Sequence, residues 1–231
     1  ISGEAKVGRG RTIVENLRIK DPWSDLSLPL FMMSYTNVKA FQNFIEEVKI
    51  DAEIAESSLD FTTLPYCAPQ LGDNRLKAGI SGKASGFVND FRFTGMKIAS
   101  YAGGFSGVAN GRMSGIPEIE STRIEARIDR FNLTGEGLGL FLTEWMDEGE
   151  ELDLSRYAKG YTFMVDAKAE GLLNSLDINA DITSLIGRAS ADVVIDGLID
   201  KDSPIGIKGT ASTENLDLGK ILSADIVGPV T

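Results

Sequence analysis

The sequence contains no histidine and a single cysteine, Cys67. Without imidazole the chain lacks the side chain most used as a general base, a proton relay and a transition-metal ligand. One thiol can neither close a disulfide within the chain nor build a cysteine zinc site. Set on an apolar helical pattern with no histidine to activate it, Cys67 reads as a small buried hydrophobe. Long apolar runs are missing as well. The richest stretch, Leu28 to Met33, is interrupted by Pro29 and falls far short of the roughly 18–20 residues a spanning helix needs. Positive charge is scarce: 23 Lys and Arg stand against 34 Asp and Glu, a net charge of −11. Such a chain repels phosphate backbones, which argues against nucleic-acid binding, and the surplus charge serves solubility. These absences point away from an enzyme and away from any metal or cofactor.

What is present is alternation. The 231 residues, 42% hydrophobic and 25% charged, suffice for one sizeable all-β domain. Phe163, Val165, Ala167 and Ala169 alternate with Thr162, Asp166, Lys168 and Glu170. Leu176, Ile178, Ala180 and Ile182 do the same against Asp177, Asn179, Asp181 and Thr183, and Ala189, Ala191, Val193 and Ile195 against Arg188, Ser190, Asp192 and Asp196. One dry and one wet face per run is the pattern of antiparallel strands covered on one side. Further strands are expected near 12–19, 26–35, 47–55, 57–62, 75–85, 88–98, 103–114, 121–131 and 204–213. Asn110-Gly111 is by itself a hairpin signal.

An internal repeat places Asn110-Gly111 inside a strand instead. Residues 86–142 align with 171–222: Gly86-Phe87-Val88-Asn89-Asp90-Phe91 matches Gly171-Leu172-Leu173-Asn174-Ser175-Leu176. A partial copy lies near 50–70, where Ile50-Asp51-Ala52-Glu53-Ile54 resembles Ile124-Glu125-Ala126-Arg127-Ile128. Each copy ends on a short helical pattern: Leu64/Cys67/Ala68, Leu138/Phe141/Leu142 and Leu218/Ile221/Leu222, with Thr63, Thr134 and Asp217 as N-caps. A separate helix is expected over 37–47, capped by Thr36 or Asn37, with Val38, Phe41, Phe44 and Ile45 on one face to plug or cover a β core. Repeated strands with short caps stack along an axis. The chain opens mid-pattern at Ile1 and closes on Gly228-Pro229-Val230-Thr231, so we expect one elongated β domain cut from a longer protein.

Chemistry is hard to find in this pattern. The carboxylates at Asp147, Glu148, Glu150, Glu151 and Asp153 lack EF-hand spacing and read as a solvated loop. The glycines at 103–107 open no helix and precede no Gly-Lys-Ser/Thr, so phosphate binding is not indicated. One bias does stand out. The dry faces are rich in small residues, among them Ala109, Gly107, Ala126, Ala167, Ala169, Ala180, Ala189, Ala191, Gly209 and Ala211. These small side chains either let covering elements pack closely or leave an apolar trough open for a ligand with long alkyl chains.

Several motifs carry a family resemblance. Gly115-Ile116-Pro117-Glu118-Ile119-Glu120-Ser121-Thr122 resembles the recurring turn of TamB-like, AsmA-like proteins of Bacteroidota. Asn215-Leu216-Asp217-Leu218-Gly219-Lys220-Ile221-Leu222 resembles their repeat end, and Asp21-Pro22-Trp23-Ser24 with Leu64-Pro65-Tyr66-Cys67-Ala68-Pro69 resembles the segment before the repeats. The resemblance implies an all-β antiparallel sheet curled into an open, β-taco-like trough with short capping helices. It implies a periplasmic bridge tethered to the inner membrane by a segment absent here. Such a bridge works with an Omp85-class outer-membrane protein, through parts outside this segment, in outer-membrane biogenesis and phospholipid passage. On that reading a monomer binds phospholipid acyl chains along Ala109, Ile124, Ala126, Ile128, Val165, Ala167, Ile178, Ala180, Ala189, Ala191, Val193 and Ile207. The competing expectations are a scaffold that holds nascent outer-membrane protein strands at its sheet edges, and a plain β spacer with a filled core.

Overall fold

The computed structural model describes residues 1–60, 77–101, 103–138, 160–199, 205–217 and 229–230. Among these, twelve strands form one antiparallel sheet whose spatial order is the chain order. They are β1 (Ser2–Val7), β2 (Arg11–Lys20), β3 (Asp25–Ser34), β4 (Lys49–Asp60), β5 (Lys77–Phe87), β6 (Asp90–Ser100), β7 (Phe105–Ser114), β8 (Arg123–Thr134), β9 (Thr162–Leu172), β10 (Ser175–Ser184), β11 (Gly187–Asp196) and β12 (Gly206–Glu214). β1 and β12 are the two ends of the order and do not pair, so the sheet is an open trough. A separate pair joins β13 (Leu216–Asp217) to β14 (Pro229–Val230).

The alternation read from sequence is the cause of the strands. Along β9 exposed and half-buried residues alternate without a break from Thr162 to Leu172. Asn110-Gly111 lies inside β7, where Gly111 is opposite Phe93 on one side and Ala126 on the other. Ladders on both flanks leave no room for a chain reversal there.

Strands β5 to β8 begin at residues 77, 90, 105 and 123, and β9 to β12 begin at 162, 175, 187 and 206. The match extends to the turns. Gly86 (φ 135°) is opposite Phe91 and Gly171 (φ 138°) is opposite Leu176. Each glycine precedes a tight turn, and a Cβ on Gly171 would lie 2.5 Å from the Ser175 carbonyl oxygen. The Gly115 amide then donates to Asn89 O (2.8 Å), and the Gly197 amide donates to Asn174 O (2.9 Å).

The ladders slip at mid-strand. Shifts of register fall in β2 against β1, in β4 against β5 between Ile54 and Ser57, in β6 between Phe93 and Met96, and in β8 between Ile128 and Phe131. Asn16 (φ 53°), Gly95 (φ 57°) and Arg130 (φ 53°) sit at three of these bulges. A bulge bends its strand and strengthens the local twist. It also orphans an amide, and polar side chains from the next strand take these up. Asn110 Oδ1 accepts from Gly95 N at 2.7 Å, and Asp166 Oδ1 accepts from Arg130 N at 2.8 Å. The pairings of β9 to β12 run without a shift.

Three expectations change. The runs 47–55 and 57–62 are one strand, β4, whose bulge lies at the apparent break. β1 is an additional strand. The 37–47 segment is a 3₁₀ helix at Val38–Asn43 followed by one α turn at Phe44–Glu47, capped by Asn37, whose Oδ1 accepts from Lys39 N at 2.9 Å. With three residues per 3₁₀ turn the buried stripe shifts. Ala40 is buried and Phe44 packs with Tyr35, Val48 and Met33, while Val38, Phe41 and Ile45 are exposed. This cluster sits where β3 leads into β4.

Thr134 caps residues 135–138, its Oγ1 accepting from Gly137 N at 3.0 Å. Thr63, Cys67, the acidic cluster at 147–153 and most of the three helical triplets lie outside the described residues. Asp217 lies in β13.

Gly171→Ala should lower the unfolding free energy by about 1–3 kcal/mol, because alanine is strained at this φ and clashes with the Ser175 carbonyl. Urea unfolding followed by circular dichroism checks this, and an unchanged midpoint would contradict the geometry.

Candidate functional site: an apolar floor across the sheet

Strand pairing converts period two into rows that cross the sheet at right angles to the strands. One row can be followed through every ladder. Ala5, Val14, Phe31, Ala52, Ala84 and Phe93 are successive partners on β1 to β6. The row continues through Gly111, Ala126, Ala169, Ile178, Val193 and Gly209 on β7 to β12. It holds no polar side chain over twelve strands. The next row runs Val7, Thr12, Met33, Ile50, Gly86, Phe91 and then Met113, Ile124, Gly171, Leu176, Ile195, Ile207. Its one polar member, Thr12, is buried with its hydroxyl 3.0 Å from the Tyr35 hydroxyl.

The predicted groove residues fall on these rows and on two more. Ala126, Ile178 and Val193 lie on the first, and Ile124 and Ile207 on the second. Ala109, Ile128, Ala167, Ala180 and Ala191 are successive partners on a third row that ends at Ala211. Val165 and Ala189 lie on a fourth, both opposite Ile182. All twelve therefore share one face. Eleven are half-buried, and Ile207, on edge strand β12, is 66% exposed. None is fully buried, and among the described residues no second sheet lies over them.

The floor also includes residues that sequence reading left out: Val14, Phe31, Ala52, Ala84, Phe91 and Phe93 in the N-terminal half. Their alternation is interrupted by the bulges, which hid the shared face. The floor is not uniform. Over β6–β8 aromatic rings lie on glycines: Phe93 Cζ would be 2.6 Å from a Cβ on Gly111, and the Phe131 ring occupies the place of a Gly107 side chain. Phe131 stacks on Phe105 at 5.7 Å. Over β9–β12 alanine predominates in the third row. Where the 115–122 loop leans over β5 and β6, an apolar pocket of about 220 Å³ opens between Ile50, Ala84, Gly86, Phe91, Val88 and Ile116.

The opposite face is ionic. Arg112 grips Asp90 with two bonds of 2.6 Å, and Lys83 meets Glu53 across the β4–β5 ladder at 2.7 Å. Arg18 grips Asp25 with bonds of 2.7 and 2.5 Å. The hydrogen bond from Arg18 lowers the Asp25 pKa to about 2, and the bond from Arg112 likewise holds Asp90 below the ordinary carboxylate range. Glu125, Glu170 and Asp177 stand directly opposite one another on β8, β9 and β10. Like charges in that arrangement repel and favour full solvation of this face.

Among the described residues no group of three or more His, Cys, Asp or Glu is placed to hold a metal ion, and no helix is long and apolar enough to cross a membrane. Comparison of the chain with family models, curated proteins and solved structures finds no match.

The Asp25 carboxylate titrates below its ordinary value of 3.8, so its pairing with Arg18 stabilises the fold above about pH 4 and is lost as pH falls through about 2. The melting temperature of Asp25→Asn should therefore lie below that of the unaltered protein at pH 7, and the gap should close near pH 2. A gap that persists at pH 2 would contradict this assignment.

Proposed function

We propose that the chain is a segment of a TamB-like, AsmA-like bridge whose trough carries phospholipid acyl chains between the inner and outer membranes. The observation that supports this reading is the unbroken apolar row through all twelve strands, most of it half-exposed, with no second sheet packed on it among the described residues. At about 4.8 Å per strand the floor is roughly 50 Å long. It runs in the direction in which strands are added, so further strands would lengthen it. Each methylene buried on it contributes roughly 0.8 kcal/mol, and this attraction is non-directional. A chain can therefore shift along the floor without breaking a specific bond, which is what passage requires. Small residues at Ala126, Ala167, Ala180 and Ala191 leave depth for the alkyl chain, and the ionic opposite face keeps the same strands wet.

In this reading the segment lies in the periplasm, tethered to the inner membrane elsewhere in a longer protein. An Omp85-class partner is engaged by parts outside the segment, and the role is conduction rather than catalysis.

Native mass spectrometry of the purified chain, with analysis of its organic extract, tests the proposal. Bound phospholipid is expected. It should be lost in Ala126→Trp and Ala191→Trp, which fill the floor, and kept in Glu125→Gln, which alters only the wet face. A lipid-free mass that stays unchanged after incubation with phospholipid vesicles would overturn the conduit and leave the strand-holding scaffold as the better account.

A further inference from the structure

A cleft of about 700 Å³ lies on the wet face, across β2 to β6. It follows two neighbouring cross-sheet rows. One runs Asp25, Ser58, Gly79 and Ala99, successive partners on β3 to β6. The other holds Arg18 opposite Ser27 on β2 and β3, and Ser81 opposite Lys97 on β5 and β6, with Glu56 on the intervening β4. Tyr101 follows β6. Its hydroxyl comes to 3.8 Å from where a Gly79 Cβ would be, so the side chain, 65% exposed, folds back over the sheet.

The bulges build this cleft. Asn16 and Gly95, the left-handed residues of β2 and β6, lie two residues before Arg18 and Lys97, and Glu56 lies in the register shift of β4. The β3–β4 ladder breaks off between Leu30–Glu53 and Asp25–Ser58, and there Ser57 Oγ accepts from Ser27 N at 2.9 Å. Bulges bend a strand and re-aim its side chains.

The polar groups around the cleft narrow what it can hold. Its charges balance, Arg18 and Lys97 against Asp25 and Glu56, so it does not select an anion. It lies in mid-sheet, where backbone groups are spent on neighbouring ladders, so it cannot add a peptide strand. Arg18 and Asp25 grip each other. Glu56, Lys97 and the hydroxyls of Ser27, Ser58, Ser81 and Tyr101 make no side-chain hydrogen bond or ion pair among the described residues. Hydroxyls both donate and accept, and an open aromatic ring takes an apolar face. A saccharide matches both: many hydroxyls on a ring whose C–H face is apolar.

We infer that this cleft binds a neutral oligosaccharide, one sugar ring lying on Tyr101 and its hydroxyls reaching Glu56, Lys97, Ser58 and Ser81. At about 4.8 Å per strand the cleft spans roughly 19 Å from β2 to β6, which is room for several linked rings. The site is on the face opposite the floor and does not depend on what the floor carries.

Nuclear magnetic resonance titration of the full chain, in phosphate-free buffer, with maltotriose, cellotriose and chitotriose up to about 10 mM tests this. At least one sugar should shift the amides of Gly79, Ser81, Lys97 and Ala99 saturably, with a Kd of about 1 mM or tighter. Tyr101→Ala should weaken binding by about two- to tenfold. Gly79→Leu should abolish it. A Cβ there meets only ordinary contacts of 3.7–3.9 Å, so this variant keeps the fold, as circular dichroism can verify, while its side chain fills the cleft. The inference is overturned if none of the three sugars binds, if binding survives Gly79→Leu, or if inorganic phosphate displaces the sugar and so marks an anion site.

Discussion

The structure depends on a register that survives its own interruptions. A slip of one residue in any ladder would turn every following side chain over and put Asp, Arg or Lys on the floor. Between Ala5 and Gly209 there are eleven ladders and several bulges, yet the row between them stays apolar. At three of the bulges a residue in left-handed conformation, Asn16, Gly95 or Arg130, accompanies the shift, and at two of them a polar side chain from the neighbouring strand holds the freed amide. Asn110 and Asp166 are in this sense part of the apolar site although they point away from it. They keep the far half of β6 and β8 in phase with the near half.

The distribution of packing follows. A closed barrel or sandwich would bury the apolar face, and here it is only half-covered. Among the described residues the buried hydrophobic cluster lies between β3 and β4, where Ala40 of the short helical segment meets Tyr35 and Val48. The sheet itself is held by ladders and by ion pairs on the wet face. Exposed pairs of that kind contribute little individually, so backbone hydrogen bonding and side-chain contact between neighbouring strands carry most of the cohesion. This division leaves most of the apolar face half-exposed among the described residues.

The sequence made part of this plain. β9, β10 and β11 alternate over about ten residues each, with Met164 and Val194 as apolar residues on the wet face, and their floor residues were legible from period two alone. Asn110-Gly111 would have been read wrongly by local turn chemistry, and the repeat corrected it. The N-terminal half was less legible for a physical reason. Asn16, Gly95 and the pair Ala55-Glu56 each break the phase, so Val14, Phe31 and Phe93 do not fall on one simple alternation. β1 offers only Ala5 and Val7 as apolar residues and gave no strand signal. The 37–47 segment carries a helical stripe, but 3₁₀ winding buries Ala40 in place of Val38.

The strand order also bears on how the chain reaches this structure. Each strand pairs only with its predecessor and its successor, so no ladder waits for a distant part of the chain. Loop closure is the main entropic barrier to forming sheets, and here most closures span a single short turn. A sheet with this order can assemble from its N-terminus as the polypeptide emerges, each hairpin docking on a ladder already formed. The half-made intermediate is then a shorter version of the finished trough, with one advancing edge.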